Sequence, residues 1–185
     1  MAEPLFRQLQ ALQEQFPGLP PVHRWHPDLC GDMDLQIRAD GRWIHEGEEI
    51  RREPLVRLFA SILKREGDDY FLVTPAEKWR IQVEDAPFIA TQVARSDSER
   101  APILFTTNTG EVVPLDGEHA WQLRPYGQPP QPVPYIAVRD QLFARVSRDA
   151  YYQLIDWAVE QSHGGGQTSQ LWLASAGKSF LLGNC

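Results

Sequence analysis

Leu5, Phe6, Leu9, Leu12 and Phe16 recur at three- and four-residue steps with glutamines and an arginine between them. That spacing puts the apolar side chains on one face of a helix, so residues 4–16 are predicted to form an amphipathic helix. Pro4 suits its first turn, and Pro17-Gly18 ends it. Residues 17–32 are punctuated by prolines and read as irregular chain. The period then drops to two. Asp40-Gly41 divides DLQIRA from RWIHEG, a hairpin signal because both residues tolerate the positive φ of a type I′ turn. Pro54 opens a second helix, with Leu55, Leu58, Phe59, Ile62 and Leu63 as its buried stripe and Gly67 as its end. DYFLVT and KWRIQV alternate on either side of Pro75 and predict a second hairpin.

The middle of the chain is strand-like again. FIATQV, PILFTT, EVVPLD and HAWQLR are separated by turn-forming residues, and the prolines between 125 and 134 read as an extended linker. PYIAVR and QLFARV form another hairpin. Ser147 can cap a third helix that turns Tyr151, Tyr152, Leu154, Ile155, Ala158 and Val159 inward, and Gly164-Gly165-Gly166 releases it. Setting Leu55 against Tyr151 aligns Leu58 with Leu154 and Phe59 with Ile155. One insertion at the three glycines then brings Tyr70-Phe71-Leu72-Val73 onto Leu171-Trp172-Leu173-Ala174, with Lys78 near Lys178. The predicted fold class is α+β: two repeated hairpin–helix–hairpin halves joined by antiparallel strands, with an N-terminal amphipathic helix. The expected divisions are 1–22 (helix and proline-rich lead-in), 23–86 (first half), 87–132 (connecting strands and linker) and 133–185 (second half).

Composition narrows the function classes. At 185 residues and 42% hydrophobic the chain can bury a core. With 18 basic against 25 acidic residues, its net charge of −7 argues against broad binding to nucleic-acid backbones. Arg51, Arg52, Arg57, Lys64 and Arg65 read as a solvated face of the second helix. Two cysteines, an N-terminus without signal-peptide character and the lack of a long apolar run lead to the expectation of a cytoplasmic protein with no membrane partner.

Most motif-like fragments fail on mechanism. Gly177-Lys178-Ser179 resembles the end of a phosphate-binding loop, but Trp172 stands where that loop needs glycine, and a strand pattern follows where it needs a helix. His23, His26 and Cys30 are the densest group of candidate zinc ligands, yet no fourth ligand accompanies them, and no metal or cofactor is expected. Cys30 has no partners in the sequence that define a nucleophile–base pair, and there is no Gly-x-Ser-x-Gly elbow.

An ordered series of short motifs carries more information. It runs Trp25-x-Pro27-x-x-Cys30-Gly31-x-x-Asp34, Asp40-Gly41-x-Trp43, Leu58-Phe59, and Leu72-Val73-Thr74-Pro75-x-Glu77-Lys78. It continues with Ile81-x-Val83-Glu84-Asp85-x-Pro87-Phe88 and Pro134-Tyr135-x-x-Val138-Arg139. Across roughly residues 22–160 the series resembles domain-of-unknown-function family 1285. The resemblance implies a bacterial protein of two repeated α+β halves, with no assigned biochemical function and only a suggested role in signalling.

The candidate binding residues are Trp25, Trp43, Thr74, Glu77, Lys78 and Arg139. A tight turn at 74–78 needs proline or glycine but not Thr, Glu and Lys together, and Arg139 is a charge that a core does not require. Lys78 and Arg139 would hold an anion, Trp25 or Trp43 would wall it, and Ser175-Ala176-Gly177-Lys178 would be the matching turn of the other half. The expected role is a binding or regulatory module for a small anionic ligand or a protein partner. The alternative is an enzyme acting on a small acidic metabolite through residues 25–34.

Overall fold

The N-terminal apolar stripe folds as helix α1 (Ala2–Gln15), which buries Leu5, Leu9 and Leu12. The computed structural model describes residues 2–98, 100–162 and 170–184. The chain divides between Asp85 and Ala86 into two units.

In the first unit a 3-10 turn (Val22–Arg24) leads into β1 (Leu29–Ile37), β2 (Trp43–His45) and β3 (Glu48–Glu49), an antiparallel meander. Helix α2 (Glu53–Ser61) follows, with proline in its first turn. A second meander is formed by β4 (Leu63–Glu66), β5 (Asp69–Val73) and β6 (Lys78–Val83). The strand order is β3-β2-β1-β6-β5-β4, and β1 and β6 pair in parallel at the centre. Leu35, Ile37, Trp43, Ile62, Leu63 and Leu72 are fully buried.

Two expectations change here. The helix ends at Ser61 rather than at Gly67, because residues 63–66 pair with 69–72 and Gly67 (φ 60°) makes the turn between them. Ile62 and Leu63 are buried either way, so an apolar stripe could not distinguish a last helical turn from a strand start. Lys64 and Arg65 therefore lie on a strand and not on the helix face. At Asp40-Gly41, Gly41 takes a positive φ (89°) and Asp40 does not, so the turn is not type I′.

The second unit contains β7 (Phe88–Ala94), β8 (Ile103–Thr107), β9 (Val112–Leu115), β10 (Trp121–Tyr126), β11 (Gln131–Arg139) and β12 (Leu142–Val146). Helix α3 (Arg148–Ser162) comes next, then a separate two-stranded sheet of β13 (Gln170–Ser175) and β14 (Lys178–Asn184). The large sheet is ordered β10-β11-β12-β7-β8-β9, with β12 and β7 parallel at its centre. Residues 87–132, expected as a connection, thus supply most of this sheet. Of the prolines read as a linker, Pro129 and Pro130 lie in the turn between β10 and β11, while the other three belong to strands: Pro134 stands opposite Leu123 and Pro132 opposite Pro125. Paired contacts of β11 with β12 begin only at Tyr135, so these prolines sit where β11 has one neighbour and a missing N–H is tolerated.

Both large sheets follow one plan: two three-stranded meanders joined through a parallel pair made by the first and sixth strands. This matches β1–β6 with β7–β12 in chain order. The pairing of Leu55 with Tyr151 does not survive that equivalence, since α2 lies between the third and fourth strands of its unit and α3 follows the sixth of the other. Hairpin–helix–hairpin order is present in the second unit (β11–β12, α3, β13–β14), whereas in the first unit α2 separates two meanders. By strand order, the counterpart of the 74–77 turn is the β11–β12 turn at Asp140 and Gln141, not Ser175–Lys178. Ser175 instead ties the last hairpin down: its buried Oγ accepts from the Ile103 N–H (2.8 Å) and donates to the Leu115 carbonyl (2.6 Å).

On α3 the buried positions are Ala150, Leu154, Trp157 and Ala158, while Tyr152 and Val159 are exposed and Ile155 is half-buried. Ser147 Oγ accepts from the Ala150 N–H (3.3 Å), as a capping side chain does. The glycines at 164–166 lie outside the described residues. Among the described residues, no helix is long and apolar enough to cross a membrane.

Candidate functional site

Strand alternation gathers cations on one face of the first unit's sheet. Lys64 on β4, Phe71 on β5 and Arg80 on β6 stand opposite one another in a single cross-strand row, and Asp32 on β1 continues it. Residues two apart on a strand share a face, so Glu66 lies beside Lys64 and Lys78 beside Arg80. The Lys78 ammonium is 2.6 Å from Glu66 Oε2 and 4.3 Å from the centre of the Phe71 ring. Lys64 Nζ is 3.3 Å from Glu66 Oε1, donates to the Trp25 carbonyl (3.1 Å) and stands 3.4 Å from His26 Nδ1. The Arg80 guanidinium lies 5.8 Å from the same ring, with Asp32 at 3.6 Å and Asp69 at 4.0 Å. Phe71 is the apolar floor of this cluster and is itself buried beneath it.

The balance of charge is uneven. The side chains of Lys64 and Lys78 are only 13% and 17% exposed, yet both lean on the one carboxylate of Glu66, which is 41% exposed. The hydrogen bond from Lys78 is the main influence on Glu66; desolvation opposes it, and with the added hydrogen bond from Lys64 and the attraction of both ammoniums the carboxyl is held below its ordinary pKa. A lowered folded-state pKa stabilises the fold above the ordinary carboxylate value, and this contribution is lost as the pH falls through the lowered one. Two shielded ammoniums, a guanidinium and an aromatic floor are groups that can pair with a carboxylate or phosphate, and Glu66 already provides such an anionic contact from the protein itself.

The structure distributes the six sequence-derived residues unevenly. Lys78 belongs to the cluster, and Trp25 joins it through its carbonyl while its ring packs edge-on against Phe16 (6.1 Å). Thr74 is buried and shapes the turn, with its Oγ1 accepting from the N–H groups of Ala76 (3.3 Å) and Glu77 (3.0 Å). Glu77 is half-buried, and its carbonyl accepts from the Thr74 N–H (2.8 Å). Trp43 is 1% exposed and stacked on Phe59 at 6.4 Å, so it is a core residue and offers no wall to a ligand. Arg139 belongs to the second unit, where its guanidinium lies 3.1 Å from Glu111 Oε1 and 5.4 Å from the centre of the Phe88 ring. Burial raises the pKa of Glu111 and lowers that of Arg139, and their mutual attraction opposes both shifts.

The sequence pattern did not bring Lys64, Arg80, His26 and Phe71 together: Lys64 read as part of a solvated helix face and His26 as a candidate zinc ligand. The alternation in KWRIQV was the available signal for Arg80, since it places Lys78 and Arg80 on one face. Cys30 is exposed, with its Sγ 3.8 Å from the Asp28 carbonyl, and His26 is engaged with Lys64. Among the described residues, no three His, Cys, Asp or Glu side chains gather as a metal site would require. Lys178 and Ser179 begin strand β14, so the Gly-Lys-Ser sequence has no helix N-terminus behind it.

Comparison with known proteins agrees with the division into two units. Residues 20–86 match the description "Domain of unknown function (DUF1285), N-terminal domain", and residues 87–182 match "Protein of unknown function (DUF1285), C-terminal domain". A crystal structure of a DUF1285 family protein from Silicibacter pomeroyi DSS-3 is similar, with 35% identity, a TM-score of 0.84 and coverage of 97% of this chain and 94% of that one. A second, from Shewanella baltica OS155, is 29% identical with a TM-score of 0.55 and covers 67% of this chain and 91% of its own. No curated protein matches the chain.

Proposed function

The chain belongs to the DUF1285 family, and we propose that it is a binding module whose first unit takes a small anionic ligand on the face formed by Lys64, Lys78 and Arg80. One observation carries this reading: two largely shielded ammoniums share a single, partly exposed carboxylate. A chain of net charge −7 gains nothing in general anion affinity from its overall field. An anion is therefore held by local geometry, displacing Glu66 from one or both lysines and lying against Phe71. The common strand order of the sheets supports descent from one duplicated segment, with β1–β6 copied as β7–β12.

The test is a calorimetric titration with inorganic phosphate and with succinate at fixed ionic strength. Lys78→Ala and Arg80→Ala are each expected to weaken the tighter of the two anions about tenfold, the scale of one charge-assisted hydrogen bond. Melting temperatures should hardly move, because partly exposed ion pairs are worth about 0–1 kcal/mol. Unchanged binding in both variants would remove the site.

A further inference from the structure

We infer that the cavity between α1 and α2 is a second ligand site, for a small monocarboxylate with an apolar body. The cavity has a volume of about 300 Å³, with Leu9, Leu12, Phe16, Pro20, Leu58 and Ile62 among its walls. That is the lower end of the range for small-molecule sites, and the composition fits one: largely apolar walls with a few polar groups, Gln13, Arg57 and Ser61. Leu9 and Ile62 are wholly buried, so the cavity reaches to the packed seam between the helices. Pro17, Pro20 and Pro54 stiffen its rim, which lowers the ordering cost of binding.

Two features say what would fill it. Of the polar lining groups, Ser61 is committed, its Oγ donating to the Leu58 carbonyl at 2.6 Å. Arg57 is not so held: Glu53 lies 3.8 Å away, and both side chains are well exposed, at 59% and 83%. Its guanidinium keeps donors for a carboxylate at the cavity mouth. Gly18 also lines the cavity, and neither a left-handed φ nor any neighbour requires glycine there, since a Cβ would meet nothing within 4 Å. The space in front of it is open to a ligand's apolar body.

This inference is independent of the lysine cluster. Trp25 separates the two places, its ring packed on Phe16 and its carbonyl on Lys64. Binding is measured by calorimetry and methyl NMR with octanoate, with 1-octanol and acetate as controls. Octanoate should bind saturably and shift the methyl signals of Leu9, Leu58 and Ile62, with octanol weaker and acetate silent. Arg57→Gln should weaken octanoate about tenfold and leave octanol unchanged. Gly18→Leu, which has room to fold, should block both, while Lys78→Ala should leave octanoate binding as it is. Absence of saturable octanoate binding, equal affinity for octanoate and octanol, or wild-type octanoate binding by Arg57→Gln would each overturn the assignment.

Discussion

Replacing Trp43 by alanine is expected to destabilise the first unit by about 3–5 kcal/mol, the usual cost of truncating a large aromatic core side chain. Trp43 is 1% exposed at the start of β2 and stacks nearly parallel to Phe59 of α2 (interplanar angle 12°), so it joins the sheet to the helix across the core. Its indole N–H has no hydrogen-bond partner among the described residues. Trp43→Phe should therefore cost much less than the alanine change, because losing that N–H removes a desolvation penalty that offsets part of the lost ring area. Urea unfolding of the three proteins checks both statements. A Trp43→Ala variant as stable as wild type but weak in ligand binding would return Trp43 to the surface role that its sequence context suggested.

Arg139→Ala is expected to cost about 3 kcal/mol, near the lower end for breaking a buried pair, since the side chains of Arg139 and Glu111 are 14% and 24% exposed. Most of that cost is the carboxylate left without its guanidinium. Arg139→Met with Glu111→Leu should be far less destabilising than Arg139→Ala alone, because neither charge is then stranded. The pH dependence carries a definite sign. Burial holds the pKa of Glu111 above the ordinary carboxylate value, so the contribution from its titration is most favourable below that value and is lost as the pH rises through the raised one. Removing Arg139 takes away the attraction opposing this shift and pushes it further. The destabilisation of Arg139→Ala should then be largest at neutral pH and shrink as acid neutralises Glu111. A deficit that does not change with pH would contradict the pair.

Local elements were largely legible in the sequence, and their assembly was less so. The stripe of α1, the proline start of α2, the Ser147 cap and the final hairpin all rest on spacing and turn chemistry confined to a few residues. Strand pairing between distant segments leaves no comparable local mark. QLFARV looks the same whether its partner is only the preceding strand or also one well upstream, so the parallel pairs β1–β6 and β7–β12 could not be read and the repeat was set in the wrong register. Lys78 stood out because it sits at a turn. Arg80 and Lys64 did not, because only the sheet register brings them to Phe71. Trp43 was expected to wall a ligand and Arg139 to be a charge that a core does not demand, and the core uses both: one stacked on Phe59, the other as half of a buried ion pair.

Glu66→Gln is the most direct measurement of the proposed site. It keeps the shape of the side chain and removes the charge that the two lysines share, so an external anion no longer competes with a resident one. By calorimetry at pH 7 and fixed ionic strength, the anion that wild type binds best should bind Glu66→Gln several-fold more tightly, and Lys78→Ala should lose that affinity. Weaker binding by Glu66→Gln, or affinity that neither substitution alters, would contradict an anion site at Lys64, Lys78 and Arg80.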